Sequence, residues 1–127
     1  MFTILLVEDS PLMRRLVREM LNGIGRFTIV EAADGGEALA VLERQPVDLV
    51  LSDLNMQPMD GLQLLQAMRG RLGIAGIPFI MMTSEQAPQN VAGAVAAGVN
   101  FYLTKPFSRD QLAKVVARIT GGQVKAA

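Results

Sequence analysis

Five short apolar runs alternate with five segments of helical periodicity along the 127 residues, and this alternation restricts the fold more than any other feature. The predicted strands are residues 4–7, 27–32, 47–53, 77–82 and 99–103. The predicted helices are residues 11–22, 34–43, 62–68, 88–97 and 108–119. Continuous apolar runs are typical of strands that are covered on both faces. The pattern therefore predicts a single α/β domain, a doubly wound parallel sheet with helices on both sides.

The composition excludes several kinds of chemistry. The chain has no cysteine and no histidine, so a disulfide, a Cys/His zinc site and a phosphohistidine of its own are ruled out. Any metal would have to bind oxygen ligands. The 12 basic residues balance 12 acidic ones without forming a basic stripe, which argues against nucleic acid as a partner.

Residues 72–104 carry a single charge, Glu85, but proline and glycine interrupt this stretch, so a membrane span is not predicted. The first residues lack the basic flank and cleavage site of a signal peptide. We therefore expect a soluble, cytoplasmic protein.

Polar side chains capable of chemistry stand where the predicted strands end. They are Glu8, Asp9, Asp53, Thr83 and Lys105. The carboxyl ends of parallel strands share one edge of the sheet, and ligands bind there, near the point where the strand order reverses. Three crowded carboxylates repel one another unless a cation lies among them, and a small set of hard oxygen ligands suits a partly hydrated Mg²⁺.

A carboxylate beside Mg²⁺ with a lysine opposite suits phosphoryl transfer. Asp53 could attack phosphorus as a nucleophile and form an acyl phosphate. Lys105 and the metal would neutralise the phosphoryl oxygens, and Thr83 could donate a hydrogen bond to one of them. The eight methionines are mainly expected to fill the core, although Met56 and Met59 lie in the loop beside Asp53, where exposure is an open alternative.

The order and spacing of five segments resemble the receiver domains of two-component response regulators, from Ile4 to about Ile119. The segments are residues 4–10, 34–39, 47–53, 59–61 and 97–107. Within that family, Asn55, Glu85, Tyr102 and the run Met13-Arg14-Arg15 are similar to the CheY-like, stand-alone chemotaxis regulators. The resemblance implies a flavodoxin-like sheet of order 2-1-3-4-5 and a receiver domain over residues 1–120. The paired glycines and small residues at positions 121–127 predict a short flexible tail.

The resemblance also implies roles for individual residues at the strand ends. Asp53 would be the phosphoacceptor. Asp9 and Asp53 would bind Mg²⁺ through their side chains, Asn55 through its carbonyl, and Glu8 through water.

The same resemblance implies a switch. Thr83 and Tyr102 would be the switch pair, and Lys105 would contact the phosphoryl group. Two positions depart from the family pattern: the proline after the acceptor comes one residue late, at Pro58, and Ser84 replaces the usual alanine after the switch threonine. The departures concern the loop path and the dephosphorylation rate.

The implied partners are a phosphate donor and a target. A histidine kinase or a histidine phosphotransfer protein would supply the phosphate, and a downstream protein would bind the face made by the fourth helix, fifth strand and fifth helix. Residues 89–99 hold no ionisable side chain, which is consistent with docking of a partner, with docking of a second copy, or with close packing of small residues. A homodimer formed on phosphorylation belongs to these alternatives.

Three classes of function compete. The first is a phosphorylation-switched signalling protein of chemotaxis or motility type, or a phosphorelay shuttle, which is not an enzyme beyond accepting phosphate from small donors and losing it again. The second is a Mg²⁺-dependent phosphohydrolase, which would want a second acid where Asn55 stands. The third is a flavin-binding module, but Glu8 and Asp9 occupy the place of a phosphate-binding loop.

Overall fold

The predicted alternation is confirmed by the computed structural model, which describes residues 2–84 and 88–120, without the side chains of residues 88–90. The strands are β1 (Thr3–Val7), β2 (Thr28–Ala32), β3 (Leu49–Asp53), β4 (Phe79–Thr83) and β5 (Phe101–Thr104). The helices are α1 (Pro11–Ile24), α2 (Gly35–Arg44), α3 (Gly61–Arg69), α4 (Pro88–Ala96) and α5 (Arg109–Thr120). The boundaries lie within about two residues of the predicted ones, the usual uncertainty of element ends.

The five strands form one parallel sheet of order β2-β1-β3-β4-β5, as predicted. The order reverses between β1 and β3, where the chain leaves one half of the sheet and enters the other. In open α/β sheets, the crevice outside the carboxyl ends at this point is where ligands bind. The topology therefore places the candidate site beyond Val7 and Asp53.

Two layers of helices bury the two faces of the sheet. On one face, α1 and α5 cover alternate residues of the central strands, including Leu6 and Leu51. On the other face, α2 and α3 cover the remaining ones, including Leu5 and Val50. Every residue of β3 and β4 is buried, which explains the apolar runs at residues 49–51 and 79–82 that precede the polar strand ends.

Side-chain caps start three helices beside the carboxyl ends of the strands. Ser10 Oγ accepts a hydrogen bond from Met13 N at the start of α1, and Asp34 caps α2 through Glu37 N. At α3, Asp60 and Gln63 form a reciprocal capping box. These caps stabilise the turns that lead from the site into the helices.

The loop after β3 carries two methionines, and both are at least partly buried. Met56 is 3% exposed and belongs to the core, so of the two alternatives left open by the sequence it is core packing that holds there. Met59 is half-buried and packs against Gly35, whose N–H donates to Met59 O at 3.3 Å. The Gln57–Pro58 peptide bond between them is cis. Burial of Met56 fits the hydrophobicity of its side chain, although its neighbours in the sequence are polar.

Two further expectations concern a membrane span and the residues around Glu85 and the C-terminal tail. Within residues 2–84 and 88–120, no helix combines the length and apolar character needed to cross a membrane. Glu85 and the tail at residues 121–127 lie outside the described residues.

Candidate functional site

Three carboxylates meet at the carboxyl edge of the sheet. The register pairs Val7 with Ser52, so Glu8 and Asp53 are the next residues on adjacent strands. Glu8 is 1% exposed and Asp53 6% exposed, whereas Asp9 faces solvent. One oxygen from each of these three side chains lies within 4.8 Å of the others. The structure thus brings together the acids that the sequence places at separate strand ends.

Lys105 reaches into this cluster from the end of β5. Its Nζ lies 3.0 Å from Glu8 Oε1 and 3.0 Å from Asp53 Oδ1. The backbone N–H of Lys105 donates to the carbonyl of Thr83 at 2.7 Å, which holds the ends of β4 and β5 together. The Lys105–Pro106 peptide bond is cis. Sequence reasoning placed Lys105 opposite Asp53 but did not anticipate its contact with Glu8.

Burial controls the ionisation of this cluster. Desolvation raises the pKa of Glu8 and the pKa of Asp53, although hydrogen bonds from Lys105 lower both in part. Burial lowers the pKa of Lys105, but the hydrogen bonds and charges of Asp53 and Glu8 outweigh burial, and its pKa is raised overall. With all four groups ionised, three negative charges face a single positive one. The site therefore favours an additional cation.

Oxygen donors suited to Mg²⁺ surround a small pocket beside this cluster. The pocket has a volume of ≈ 230 Å³ and is lined by Asp9, Asn55, Met56, Gln57 and Asp60. Carboxylate and carbonyl oxygens are the ligands that Mg²⁺ takes in proteins, with water completing its coordination. The clustered carboxylates of Glu8, Asp9 and Asp53 therefore suit this ion, and Asn55 lines the pocket beside them.

Thr83 and Tyr102 lie on the neighbouring strands β4 and β5. Thr83 ends β4 and is fully buried. Tyr102 pairs with Met81 in the register, two residues before Thr83, and packs half-buried against the core on the α2 and α3 side. Ser84 is exposed and lines an apolar pocket between α1 and the segment after β5.

Two hydrogen bonds that sequence reasoning missed hold Glu8, one to its backbone carbonyl and one to its carboxylate. Arg14 Nη1 donates to Glu8 O at 2.8 Å while its Nε pairs with Glu31 at 3.0 Å. The N–H of Ser10 donates to Glu8 Oε2 at 3.1 Å. The basic pair at the start of α1 was a signal for such a contact, because the first turn of that helix faces the end of β1.

Gly61 is a second residue that sequence reasoning did not assign to the site. A Cβ placed on Gly61 would overlap the carbonyl oxygen of Asp53 and lie 2.8 Å from Met81 Sδ. The N–H of Gly61 also donates to Leu54 O at 2.9 Å. Glycine therefore lets the first turn of α3 approach the backbone of Asp53 and keeps that residue in place.

Comparisons with known proteins agree with this geometry. The sequence model of the response regulator receiver domain matches residues 4–117. The chemotaxis protein CheY of Pseudomonas aeruginosa is 34% identical over 122 residues, which cover 93% of this chain and 98% of that protein.

Two solved structures are similar over 94% of this chain and 98% of theirs. The chemotaxis protein CheY4 of Vibrio cholerae has a TM-score of 0.85 and 33% identity. The receiver domain of the sensor histidine kinase PA1611 of Pseudomonas aeruginosa has a TM-score of 0.84 and 31% identity, and it has a magnesium ion coordinated in its active-site cleft.

Proposed function

The chain belongs to the response regulator receiver domain family, and we propose that it accepts a phosphoryl group on Asp53 from a histidine kinase or a histidine phosphotransfer protein. The observation that carries the proposal is the contact of Lys105 Nζ with Asp53 Oδ1 at 3.0 Å, inside a cluster of three carboxylates. The chain contains no histidine, so the phosphohistidine belongs to another protein.

In the proposed step, a carboxylate oxygen of Asp53 attacks phosphorus, the phosphorus–nitrogen bond of the donor breaks, and an acyl phosphate forms. Lys105 is already in contact with Asp53 and neutralises charge on the transferred group. The hydroxyl of Thr83 donates a hydrogen bond to one phosphoryl oxygen. Asp9 and Asp53 would hold Mg²⁺ through their side chains, Asn55 through its carbonyl and Glu8 through water, and a bound ion would supply positive charge to the phosphoryl group.

Phosphorylation then changes the surface formed by α4, β5 and α5. An acyl phosphate adds nearly two negative charges beside Thr83. Movement of Thr83 toward the phosphate makes room for Tyr102 to turn inward, which favours one of two arrangements of this surface. The target is proposed to be a protein of chemotaxis or motility type, since the relatives are chemotaxis proteins.

The exposed side of α4 supports a docking role. Ala92 and Ala96 are exposed, and Val95 is 65% exposed. An apolar helix surface of this kind is suited to a protein partner, with a homodimer of this chain as the other candidate occupant.

The chain is proposed to act as a cytoplasmic switch rather than as an enzyme with a separate substrate, beyond phosphorylation by small phosphodonors and loss of its own phosphate. A phosphorelay shuttle uses the same site. A Mg²⁺-dependent phosphohydrolase is less well supported, because the position two residues after Asp53 holds the amide of Asn55 instead of an acid.

Labelling by acetyl phosphate with Mg²⁺ tests the phosphoacceptor. We expect Asp53→Asn to abolish covalent labelling, because the amide cannot form the acyl phosphate. The matched control is Asp110→Asn, which changes an exposed carboxylate in the first turn of α5 and should label like the wild type. Labelling of Asp53→Asn at a stoichiometry near that of the wild type would exclude Asp53 as the acceptor.

The output is tested separately. Immobilised protein loaded with Mg²⁺ and beryllofluoride, a phosphoryl mimic, is compared with protein loaded with Mg²⁺ alone for capture of proteins and for self-association. Binding that requires the mimic identifies the target, and equal binding in both conditions contradicts a phosphorylation-controlled surface.

A further inference from the structure

Arg69, the last residue of α3, uses all its donor groups at the amino ends of β4 and β5. Its Nη1 donates to Ala75 O at 3.0 Å and to Ile77 O at 2.7 Å, both in the loop before β4. Its Nε and Nη2 donate to Gly98 O at 3.2 and 2.8 Å, just after α4. The remaining contact, from Nη2 to Asn100 Oδ1, is 3.1 Å. A guanidinium has five N–H donors, so this pattern leaves none unused.

Asn100 extends the same network to the first residue of β4. Its Oδ1 accepts the N–H of Phe79 at 2.8 Å, and its own N–H donates to Phe79 O at 3.0 Å. Two hydrogen bonds thereby join the residue before β5 to the first residue of β4. Arg69 joins the same residue to the end of α3. We name Arg69 and Asn100 the anchor pair.

In its described part, helix α4 has one buried side chain along its length and receives charge-assisted hydrogen bonds just beyond its carboxyl end. Among its described side chains, at residues 91–96, Ala94 is the buried one, and a Cβ placed on Gly93 would lie 3.6 Å from Leu62, so the glycine itself leaves room there. At the carboxyl end, Gly98 adopts φ +91° and its carbonyl receives both hydrogen bonds from Arg69. Small apolar contacts along the helix contrast with charge-assisted hydrogen bonds at its end.

We infer that Arg69 and Asn100 are positioning residues of the switch: they fix the carboxyl end of α4 and the start of β5, so that a change at Asp53 is converted into reorientation of Tyr102. The inference deepens the proposed function and rests on it. Both residues lie at the sheet edge opposite Asp53 and act through Gly98 and Phe79, without contacting the phosphoryl group.

The physical reason is that a segment transmits a displacement only when its far end is fixed. Thr83, at the carboxyl end of β4, precedes α4 in the chain, and Tyr102 follows the anchored end of α4 by four residues from Gly98. If the hydrogen bonds of the anchor pair are removed, movement near Thr83 displaces α4 as a rigid body. The loop at Gly98 then changes conformation in place of β5. Tyr102 then responds less to the same event at Asp53.

The sequence offers a direct readout of this coupling. Tyr102 is the only tyrosine of the chain, which has no tryptophan, so intrinsic fluorescence reports on this side chain alone. The measured quantity is the change in Tyr102 fluorescence when beryllofluoride is added to the full chain with Mg²⁺. Mg²⁺ affinity and labelling by acetyl phosphate are measured in parallel, because they report on the site at Asp53.

We expect Arg69→Met to reduce the Tyr102 response by about threefold or more, with Mg²⁺ affinity and labelling within about twofold of wild type. The matched control is Arg71→Met, two residues later, which loses only an exposed ion pair with Glu43 at 2.6 Å and should respond normally. Asn100→Ala should reproduce the loss. Asn100→Asp keeps the oxygen that accepts from Arg69 and Phe79, and it should respond like the wild type.

A full Tyr102 response in folded Arg69→Met and Asn100→Ala, even with lowered melting temperatures, overturns the inference and leaves a purely structural role. If Arg69→Met fails to fold, the pair Asn100→Ala and Asn100→Asp decides, since the backbone hydrogen bond from the N–H of residue 100 to Phe79 O remains in both. A wild type that binds beryllofluoride without a Tyr102 response overturns the inference alone. A wild type that does not bind it overturns the proposed function as well.

Discussion

The two edges of the sheet handle charge in opposite ways. At the carboxyl edge, Glu8, Asp9 and Asp53 crowd together, and Lys105 is the ammonium that contacts two of them. At the amino edge, the five N–H donors of Arg69 all meet uncharged oxygens. The first edge retains an excess of negative charge that a metal ion and a phosphoryl group can use, and the second is already satisfied. Reactivity and anchoring are thus separated by the length of the strands.

The energetic consequence follows from burial. Desolvation raises the pKa of Glu8 and Asp53, which means that the folded chain holds these charges at a cost. Among the described residues, every buried side-chain nitrogen and oxygen has a hydrogen-bond partner, so the cost at the carboxyl edge comes from charge and not from missing bonds. This contrast can be tested by substitutions at each edge.

The largest expected effect is at Lys105. Lys105→Met should slow labelling by acetyl phosphate by about 100-fold, because the cation beside the transferred group is lost. Mg²⁺ affinity should not fall, since the ammonium repels the metal. The control is Lys114→Met, an exposed position on α5. Labelling of Lys105→Met within about threefold of wild type would contradict the role of Lys105 in neutralising charge on the transferred phosphoryl group.

A smaller effect is expected on the free energy of unfolding, when a glycine is replaced by alanine at each edge of the sheet. Gly61→Ala should destabilise the fold by about 2–3 kcal/mol, because the added Cβ overlaps the carbonyl of Asp53. Gly76→Ala, in the loop before β4, meets nothing within 4 Å and should stay within about 0.5 kcal/mol of wild type. Urea unfolding measures both. Equal losses in the two variants would contradict the close approach of α3 to β3.

The smallest effect is a pH dependence of stability. A carboxyl whose pKa is raised on folding stabilises the fold below its unfolded pKa, near pH 4, and that contribution is lost as the pH rises through the folded value. Metal-free wild type should therefore lose stability with rising pH more than Asp53→Asn does. At pH 7 the variant should melt higher by roughly 2–5 °C, with the gap closing toward pH 4. Thermal melts in a chelator measure this, and a gap independent of pH would contradict the raised pKa of Asp53.

Much of the fold was predictable because its determinants are local. Apolar runs and helical periodicity are properties of neighbouring residues, and the capping residues Ser10, Asp34 and Asp60 mark where three helices begin. The same locality explains the errors of one or two residues, such as α1 continuing to Ile24, whose side chain is buried. The sequence left the burial of Met56 open, because burial of a loop side chain depends on what the loop packs against.

By itself, the sequence determined the alternating parallel architecture and the acids at the strand ends, since strand direction forces the carboxyl ends to one edge. Only the tertiary structure decided which groups touch. Lys105 meets Glu8 across 97 positions of sequence, and Arg69 meets Asn100 across 31. Long side chains reach partners that no periodicity specifies, and the balance of desolvation and charge that sets their pKa values exists only once the chain has packed.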